Sequence, residues 1–263
     1  MSAGISFKRF SALFAAMLLV SMMLAMMGCG EEKPPVQTQS GATVSDTEVV
    51  SEVDMERYRC ERYGVTPESL GDPVIVLKTD METGSKLNIS HDTDGTLFAD
   101  MGDGNIYFYC PDWVTAGDTV KLYTDGEVLE FYCSFNQLTE IDVSGCASLR
   151  TLYCNDNNLT KLDVGGNTSL VTLECCNNQL AELNIGSKPD LTELSCSRNK
   201  LAGLDVSGCK NLRNLYCSEN ELTALDLSRN TKLEELQCFK NNIAELDLSS
   251  NKALTKVLSD ANY

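Results

Sequence analysis

Histidine, tryptophan and positive charge are scarce in this chain. Only one histidine, His91, and one tryptophan, Trp113, occur among its 263 residues. A single histidine removes most Ser-His and Cys-His catalytic schemes, because each needs an imidazole as its base. The 21 lysines and arginines face 38 carboxylates, for a formal net charge of −17. This deficit of cations argues against nucleic acid as a partner and against docking on anionic lipid through basic charge.

Sequence motifs for catalysis and metal binding are missing as well. There is no phosphate loop, nucleophile elbow or H-E-x-x-H pattern. The acidic stretch Asp92–Gly95 lacks the twelve-residue spacing and terminal Glu of a calcium loop, so a hairpin turn is the better prediction. We therefore expect no catalytic residue, no metal site and no cofactor, and we expect that the chain is not an enzyme.

The N-terminal segment has the pattern of an export signal. Lys8 and Arg9 form a short basic stretch, and an apolar run follows from Phe10 to Met27. A basic start, an apolar stretch and a small residue before a cleavage site are typical of secretory signals. The run is also long enough to span a bilayer as an uncleaved helix.

The end of this segment, Met26-Met27-Gly28-Cys29, resembles the lipobox of bacterial lipoproteins. The resemblance implies that residues 1–28 are a lipoprotein signal peptide and that Cys29 carries the lipid. Its glyceride would supply the two or more acyl chains, palmitate among them, that stable anchoring requires. An ordinary signal peptide cleaved nearby, or an uncleaved anchor, stays open as the alternative. Residues 29–51 are polar and contain Pro34-Pro35, which predicts a flexible tether.

A period of 21 residues runs through residues 128–263, giving six full units and a partial seventh. We count positions within a unit from its first apolar residue, which is Val128, Leu149, Leu170, Leu191, Leu212, Leu233 or Leu254. Position six is cysteine in the six full units: Cys133, Cys154, Cys175, Cys196, Cys217 and Cys238. Position nine is asparagine: Asn136, Asn157, Asn178, Asn199, Asn220, Asn241 and Asn262.

Each unit reads L-x-x-L-x-C-x-x-N-x-L-x-x-L-D-V-S, and its first eleven positions resemble the leucine-rich-repeat pattern. The short period with L-D-V-S in its second half is similar to bacterial repeats of the internalin and related surface-adhesin type. The resemblance covers about half of the chain and implies a solenoid with a parallel sheet on its concave face. The alternation of Leu149, Leu152 and Cys154 also predicts a strand with one buried face. Stacked coils bury such a face, which one coil alone cannot do.

The position-six cysteines are predicted to form a structural ladder inside this solenoid. Ladder neighbours lie one coil apart, about 5 Å, whereas zinc ligands come in close pairs that converge tetrahedrally. We expect free thiols that pack as small apolar groups, because parallel inward side chains give a poor disulfide dihedral. Cys176 is expected to face outward and to be the reactive thiol. Cys60, Cys110, Cys146 and Cys209 lie off the ladder, with no pairing that the sequence assigns.

Residues 52–127 are predicted to cap the first coil, since an uncovered coil would expose its apolar face. The cap is expected to hold a short helix after Ser51 and then a small β-sandwich-like unit. Strand-like runs cover 74–77, 87–89, 106–109 and 119–123, and Gly- and Asp-rich turns separate them. The stretch 99–104 resembles the D-W-G-D-G turn found ahead of similar bacterial repeats, with Met101 in place of Trp. The expected fold class is mainly β: a small β-sandwich-like cap followed by a leucine-rich-repeat solenoid.

Function is expected on the concave sheet, at positions three, five, seven and eight, whose side chains point outward. Tyr132 and Tyr153 fall on adjacent strands, and tyrosine is favoured at interfaces. Cross-strand pairing alone is the alternative explanation for such aromatics. The candidate partner-binding residues are Tyr132, Tyr153, Tyr216, Phe135, Glu174, Arg198 and Phe239.

Taken with the lipobox, these features predict an exported bacterial protein that is lipid-anchored to the cell membrane or outer membrane and faces the exterior. Its expected partner is a protein ligand on a host, a neighbouring cell or the extracellular matrix, bound in the manner of an adhesin or receptor. A carbohydrate-binding or structural role in the cell envelope is the alternative. Membrane contact is expected only through the lipid at Cys29.

Overall fold

The structure, a computed structural model, describes residues 65–108, 113–260 and 262. The predicted signal peptide, Cys29, the tether and the helix after Ser51 lie outside these residues, as do Cys60 and Cys110. Within the described ranges no helix is long and apolar enough to cross a membrane. The described chain is mainly β, as predicted, with one short helix, α1 (Pro67–Leu70).

In the described part of the chain fifteen strands follow α1, and most of them join one of two long sheets. The bounds are β1 (Ile75–Thr79), β2 (Ser90–Thr93), β3 (Leu97–Asp100), β4 (Ile106–Phe108), β5 (Thr119–Thr124), β6 (Val128–Tyr132), β7 (Leu138–Asp142), β8 (Thr151–Tyr153), β9 (Lys161–Asp163), β10 (Thr172–Glu174), β11 (Glu182–Asn184), β12 (Glu193–Ser195), β13 (Asn214–Tyr216), β14 (Glu235–Gln237) and β15 (Lys256–Leu258).

The repeats coil into a solenoid with a parallel sheet on one side. Strands β6, β8, β10, β12, β13, β14 and β15 pair in that order, and each register step is one 21-residue unit, as in Leu152↔Leu173. This in-register stacking follows from the constant repeat length, which brings equivalent residues side by side. Leucines at positions one, four and eleven and cysteines at position six then fill a continuous core, and Leu152 and Cys154 are fully buried.

Asparagine at position nine holds each coil to its neighbours where the chain leaves the strand. In Asn178 the amide Nδ2 donates to the carbonyl oxygens of Cys154, Cys175 and Cys176, at 2.9 to 3.2 Å. Its Oδ1 accepts from the backbone N–H of Leu159, 3.0 Å away in the preceding coil. The same set of bonds recurs at Asn199 and Asn220. These amides satisfy backbone groups that the bend would otherwise leave buried and unpaired.

The opposite, convex side is built from extended segments and short strands. Strands β9 and β11 pair in parallel there, while β7 pairs with the cap strand β1. Aspartate at position fifteen accepts a bond from the backbone N–H two residues later, as Asp226 does from Ser228 at 2.9 Å. This local turn reverses the chain without a helix.

Position nineteen forms a second ladder that the sequence reading missed. It holds Cys146, Asn167, Lys188, Cys209, Asn230 and Asn251. Asn230 donates from Nδ2 to the carbonyls of Val206 and Cys209, both at 2.9 Å, and Lys188 reaches the Gly165 carbonyl from a fully buried position. Cys146 and Cys209, which had no assigned place, are therefore members of this column.

The cap continues both sheets of the solenoid. Strands β4, β3, β5, β1 and β7 form an antiparallel sheet on one side, and β2 adds antiparallel to β6 on the other. Asn88 completes the asparagine ladder: its N–H donates to Oδ1 of Asn136 at 2.6 Å, and its carbonyl accepts from Nδ2 of the same residue at 2.9 Å. These bonds engage both backbone polar groups of Asn88. The strand expected at 87–89 is wrong, and β2 begins at Ser90 instead.

Two glycine contacts set the turns of the cap. Gly95 and Gly126 lie back to back, and a Cβ atom on Gly126 would sit 2.5 Å from the Cα of Gly95. Gly102, with φ of 106°, contacts Gly117 in the same way. The turn at 99–104 is closed by the Asp100 carboxylate, which accepts from the N–H groups of Gly102 and Gly104 at 2.9 Å. Met101 is fully buried there, in the position that the resemblance gives to tryptophan.

Candidate interaction surface

The concave sheet presents two outward rows of side chains, at positions three and five of each coil. The burial pattern of the strands alternates, so positions three and five of β8, β10, β13 and β14 are half-buried while position four is fully buried. Row three contains Glu130, Thr151, Thr172, Glu193, Asn214, Glu235 and Lys256. Row five contains Tyr132, Tyr153, Glu174, Ser195, Tyr216, Gln237 and Leu258.

Tyr132 and Tyr153 form the aromatic part of this surface. Their rings meet edge to face, with centroids 5.0 Å apart and planes at 90°. The Tyr132 hydroxyl donates to Oε2 of Glu130. That bond to a carboxylate, together with partial burial, raises the pKa of Tyr132 to about 12, so the hydroxyl stays protonated.

Carboxylates surround the tyrosines. Burial and the nearby charges of Glu174, Glu193 and Glu130 raise the pKa of Tyr153. Burial and the charges of Glu235 and Glu193 raise the pKa of Tyr216 in the same way. Glu174 also accepts a bond from Nδ2 of Asn155, at 2.8 Å. The rings thus lie in a field of negative charge.

Strand β2 adds two residues to this face that the sequence reading missed. Ser90 pairs with Tyr132, and Asp92 pairs with Glu130. The side chains of Ser90 and Asp92 are exposed. Their placement depends on the antiparallel addition of β2 to β6, for which the sequence carries no periodic signal.

Position eight, where each strand gives way to the bend, has a left-handed backbone in six successive coils. The values of φ are 63° at Phe135, 54° at Asp156, 54° at Asn177, 58° at Arg198, 56° at Glu219 and 54° at Lys240. The N–H at this position donates to the position-seven carbonyl of the next coil, as Arg198 does to Ser218 at 2.9 Å. Stacking therefore holds the conformation, which costs free energy for most residue types.

The remaining candidate residues lie along this rim. Phe135 is 66% exposed, an unusual exposure for a large apolar side chain. Arg198 pairs with Glu219 at 3.2 Å, and Glu219 also lies 3.4 Å from Lys240. The Lys240 ammonium sits 6.0 Å from the centroid of Phe239. The structure thus places Tyr132, Tyr153, Tyr216 and Glu174 on the sheet and Phe135, Arg198 and Phe239 at its margin.

The cysteine ladder lies behind this face, inside the core. The six position-six cysteines are fully buried, and every cysteine of the described part is a free thiol. Burial raises the pKa of Cys154 to about 12 and that of Cys238 to about 11. Cys176 is half-buried, and burial raises its pKa to about 11. A thiol that stays protonated is a poor nucleophile, so burial opposes the reactivity expected of Cys176, which stays a prediction.

Titratable and metal-ligating side chains elsewhere in the described residues are dispersed. In residues 65–108 and 113–260 no group of three or more His, Cys, Asp and Glu side chains is arranged to hold a metal ion. The half-buried His91 packs edge-on against Trp113, with ring centroids 6.0 Å apart, and burial lowers its pKa. A polar groove of about 700 Å³ lies on the convex side between β1, β7, β9 and β11, where Lys78 and Glu140 pair at 2.8 Å.

Three features decide the identity of the fold: coils of 21 residues, one parallel strand per coil, and a leucine core closed by an asparagine ladder. The solenoid is a leucine-rich-repeat fold. Its concave face carries the tyrosine and carboxylate rows, and its convex face has no long helix among the described residues.

Solved leucine-rich-repeat structures are similar to this chain. The functional domain of InlJ from Listeria monocytogenes, described as including a cysteine ladder, is 37% identical over 50% of this chain and 29% of that one, with a TM-score of 0.49. The internalin InlF from the same organism is 20% identical over 46% and 38%, with a TM-score of 0.40. YopM from Yersinia pestis, a leucine-rich effector, is 23% identical over 44% and 39%, with a TM-score of 0.38.

The present chain therefore spans well under half the length of each of these three structures. No family model matches it, and neither does any curated protein. The leucine-rich-repeat assignment stands on the geometry of the coils themselves.

Proposed function

We propose that this protein binds a protein partner through the concave face of its leucine-rich repeats, in the manner of an adhesin or receptor. The observation that supports the proposal is the pair of outward rows on the eight-stranded sheet, with Tyr132 and Tyr153 in contact at its N-terminal end. Half-buried tyrosines on a rigid sheet offer large contact area at low entropic cost, together with a polar group.

The ring geometry favours a protein over a sugar as the ligand. A flat platform for a pyranose would need coplanar rings, but the two rings stand at 90°, and the edge of one covers a single face of the other. An edge-to-face pair suits irregular side chains, which can pack into the angle between the rings. Carbohydrate binding is the competing outcome of the test below.

Binding of the labelled full chain to arrays of extracellular proteins and of glycans tests this proposal. We expect protein ligands that are lost in the double variant Tyr132→Ala with Tyr153→Ala and kept in Tyr132→Phe with Tyr153→Phe. Circular dichroism of each variant checks that the solenoid is folded. Glycan ligands that need Tyr153, or protein ligands that ignore both tyrosines, would overturn the assignment.

We also propose that the protein is exported and anchored by lipid at Cys29, facing the cell exterior. The basic start, the apolar run and the cysteine after Gly28 support this location. Protease treatment of intact cells is expected to remove the wild-type protein, while Cys29→Ala is released or left unprocessed. Full protection of the wild type in cells with an outer membrane would place it inside the envelope and would overturn the surface location.

A further inference from the structure

The concave face carries an excess of negative charge that its own cations do not cancel. Rows three and five and the outward side of β2 contribute five carboxylates against one lysine: Asp92, Glu130, Glu174, Glu193 and Glu235 against Lys256. Lys256 is held 2.6 Å from Glu235, at one end of the face. The other four carboxylates lie between β2 and β12.

Two arrangements on this face set like charges close together. Asp92 lies directly opposite Glu130 in the antiparallel pair of β2 and β6. Burial and the charges of Glu174 and Glu235 raise the pKa of Glu193. Like charges on neighbouring strands destabilise the free protein. A cationic partner would therefore reduce the repulsion between these carboxylates.

Three cations at the margin of the face are engaged in ion pairs. Arg198 and Lys240 both pair with Glu219 at position eight. Arg213, at position two, pairs with Glu234. These ion pairs hold the arginine and lysine side chains along the rim and leave the centre of the sheet acidic.

The tyrosines make this acidic surface specific for particular cations. A guanidinium or ammonium group over an aromatic ring is attracted by the electron-rich face, and a carboxylate beside the ring adds an ion pair. Tyr153 lies near Glu174 and Glu193, and Tyr216 lies near Glu193 and Glu235. Each ring with its neighbouring acids matches one arginine or lysine side chain.

We propose that the concave face binds a segment of its partner that is rich in arginine and lysine. This inference rests on the proposed function and names the chemistry of the partner. From β2 to β14 the acidic face crosses six strand spacings, about 29 Å at 4.8 Å per strand. An extended peptide of about nine residues covers that distance.

A labelled nine-residue oligoarginine peptide, titrated with the full chain in detergent at physiological salt, tests the proposal by fluorescence anisotropy. Oligoglutamate and Gly-Ser peptides of equal length serve as probe controls. The test variant is Glu174→Gln with Glu193→Gln on the concave face. The matched control is Glu182→Gln with Glu245→Gln on the convex face, which removes the same charge from exposed positions.

We expect oligoarginine to bind the wild type and the convex control equally, and to bind the concave variant roughly tenfold more weakly. Tyr153→Ala is expected to weaken binding, and Tyr153→Phe is expected to retain it, because the ring supplies the cation contact. If the concave and convex double variants weaken oligoarginine binding equally, the effect comes from net charge alone and the proposal is overturned. Absence of oligoarginine binding would overturn it too.

The two proposals fail in different ways. If oligoarginine does not bind but array ligands still depend on Tyr132 and Tyr153, the concave face binds protein of another chemistry and only the basic-segment proposal is lost. If the array ligands ignore the tyrosines as well, the proposed function is lost with it.

Discussion

At the scale of single residues, the asparagine at position nine links each coil to the one before it. From Asn157 to Asn241 each amide uses both of its ends: Nδ2 donates to carbonyls of its own and the preceding coil, and Oδ1 accepts from an N–H of the preceding coil, as in Asn178. Leucine and cysteine side chains fill the core by apolar packing, which is not directional, whereas the hydrogen bonds of the amide fix where the chain bends.

Replacement of Asn178 by alanine should therefore destabilise the solenoid strongly. The change leaves the Leu159 N–H buried without a partner, which costs about 1–3 kcal/mol. The Cys154 carbonyl loses one of its two amide donors and keeps Nδ2 of Asn157 at 3.1 Å. Urea unfolding followed by circular dichroism measures this loss. The neighbouring exposed residue provides the control, since Gln179→Ala should change stability by less than about 0.5 kcal/mol. Equal effects of the two changes would contradict the role given to the ladder.

Tyr132 gives a residue-level prediction for alkaline pH. Its pKa is about 12 in the folded chain against an ordinary value of 10.0, so the folded state holds the proton more firmly than the unfolded state does. The stabilisation is complete below pH 10 and is lost as pH rises toward 12. Ultraviolet titration of tyrosinate should show a late component that is missing in Tyr132→Phe and shifted down in Glu130→Gln. A Glu130→Gln profile equal to that of the wild type would exclude the Glu130 carboxylate as its cause.

At the scale of elements, the cap depends on turns that approach each other without side chains. Alanine at Gly126 would place its Cβ against the backbone of Gly95, 2.5 Å from the Cα. One turn must then move, and the expected loss of stability is about 1–3 kcal/mol. The matched change Gly203→Ala meets nothing within 4 Å and should be close to neutral. Thermal unfolding of both variants decides; an equal melting temperature for the two would show that the turns separate freely.

The strands and bends of the repeats could be predicted from sequence because a constant period puts equivalent residues side by side. The column of Asn178 and its equivalents located the bend, and the alternation around Leu152 located the strand. The position-nineteen ladder also has the 21-residue period in Asn230 and Asn251, so a search beyond the leucine columns would have found it.

Other features left no such signal. The left-handed backbone at position eight is occupied by Phe135, Asp156 and Arg198 alike, so no residue type marks it. Strand β2 joins the concave sheet by pairing with β6, and no periodic pattern in the sequence indicates that pairing. Asp92 therefore lies on the candidate surface although no sequence pattern predicts it. The strand expected at 87–89 was wrong because Asn88 uses its backbone for the asparagine ladder.

At the scale of the whole molecule, each coil is stabilised by its contacts with the coils next to it. Asn88 is one of the cap residues that contact the first coil, and its Nδ2 donates to the Ser134 carbonyl at 3.0 Å. A defect at this junction should thus loosen the first coil and leave distant coils closed.

Hydrogen exchange in Asn88→Ala tests that locality. We expect faster exchange in β6 and in the 134–138 bend, and unchanged exchange in β12 and β13 four and five strands away from β2. A uniform rise along all strands would instead show that the solenoid opens as one cooperative unit.

The left-handed backbone at position eight also bears on how this protein can diversify. Because stacking rather than residue type maintains it, one aromatic, two acidic, one amide and two basic side chains occupy the site in successive coils. A lineage can therefore alter the rim of the sheet one coil at a time by point mutation. New partners can be explored in this way while the leucine core and the asparagine bends are inherited intact.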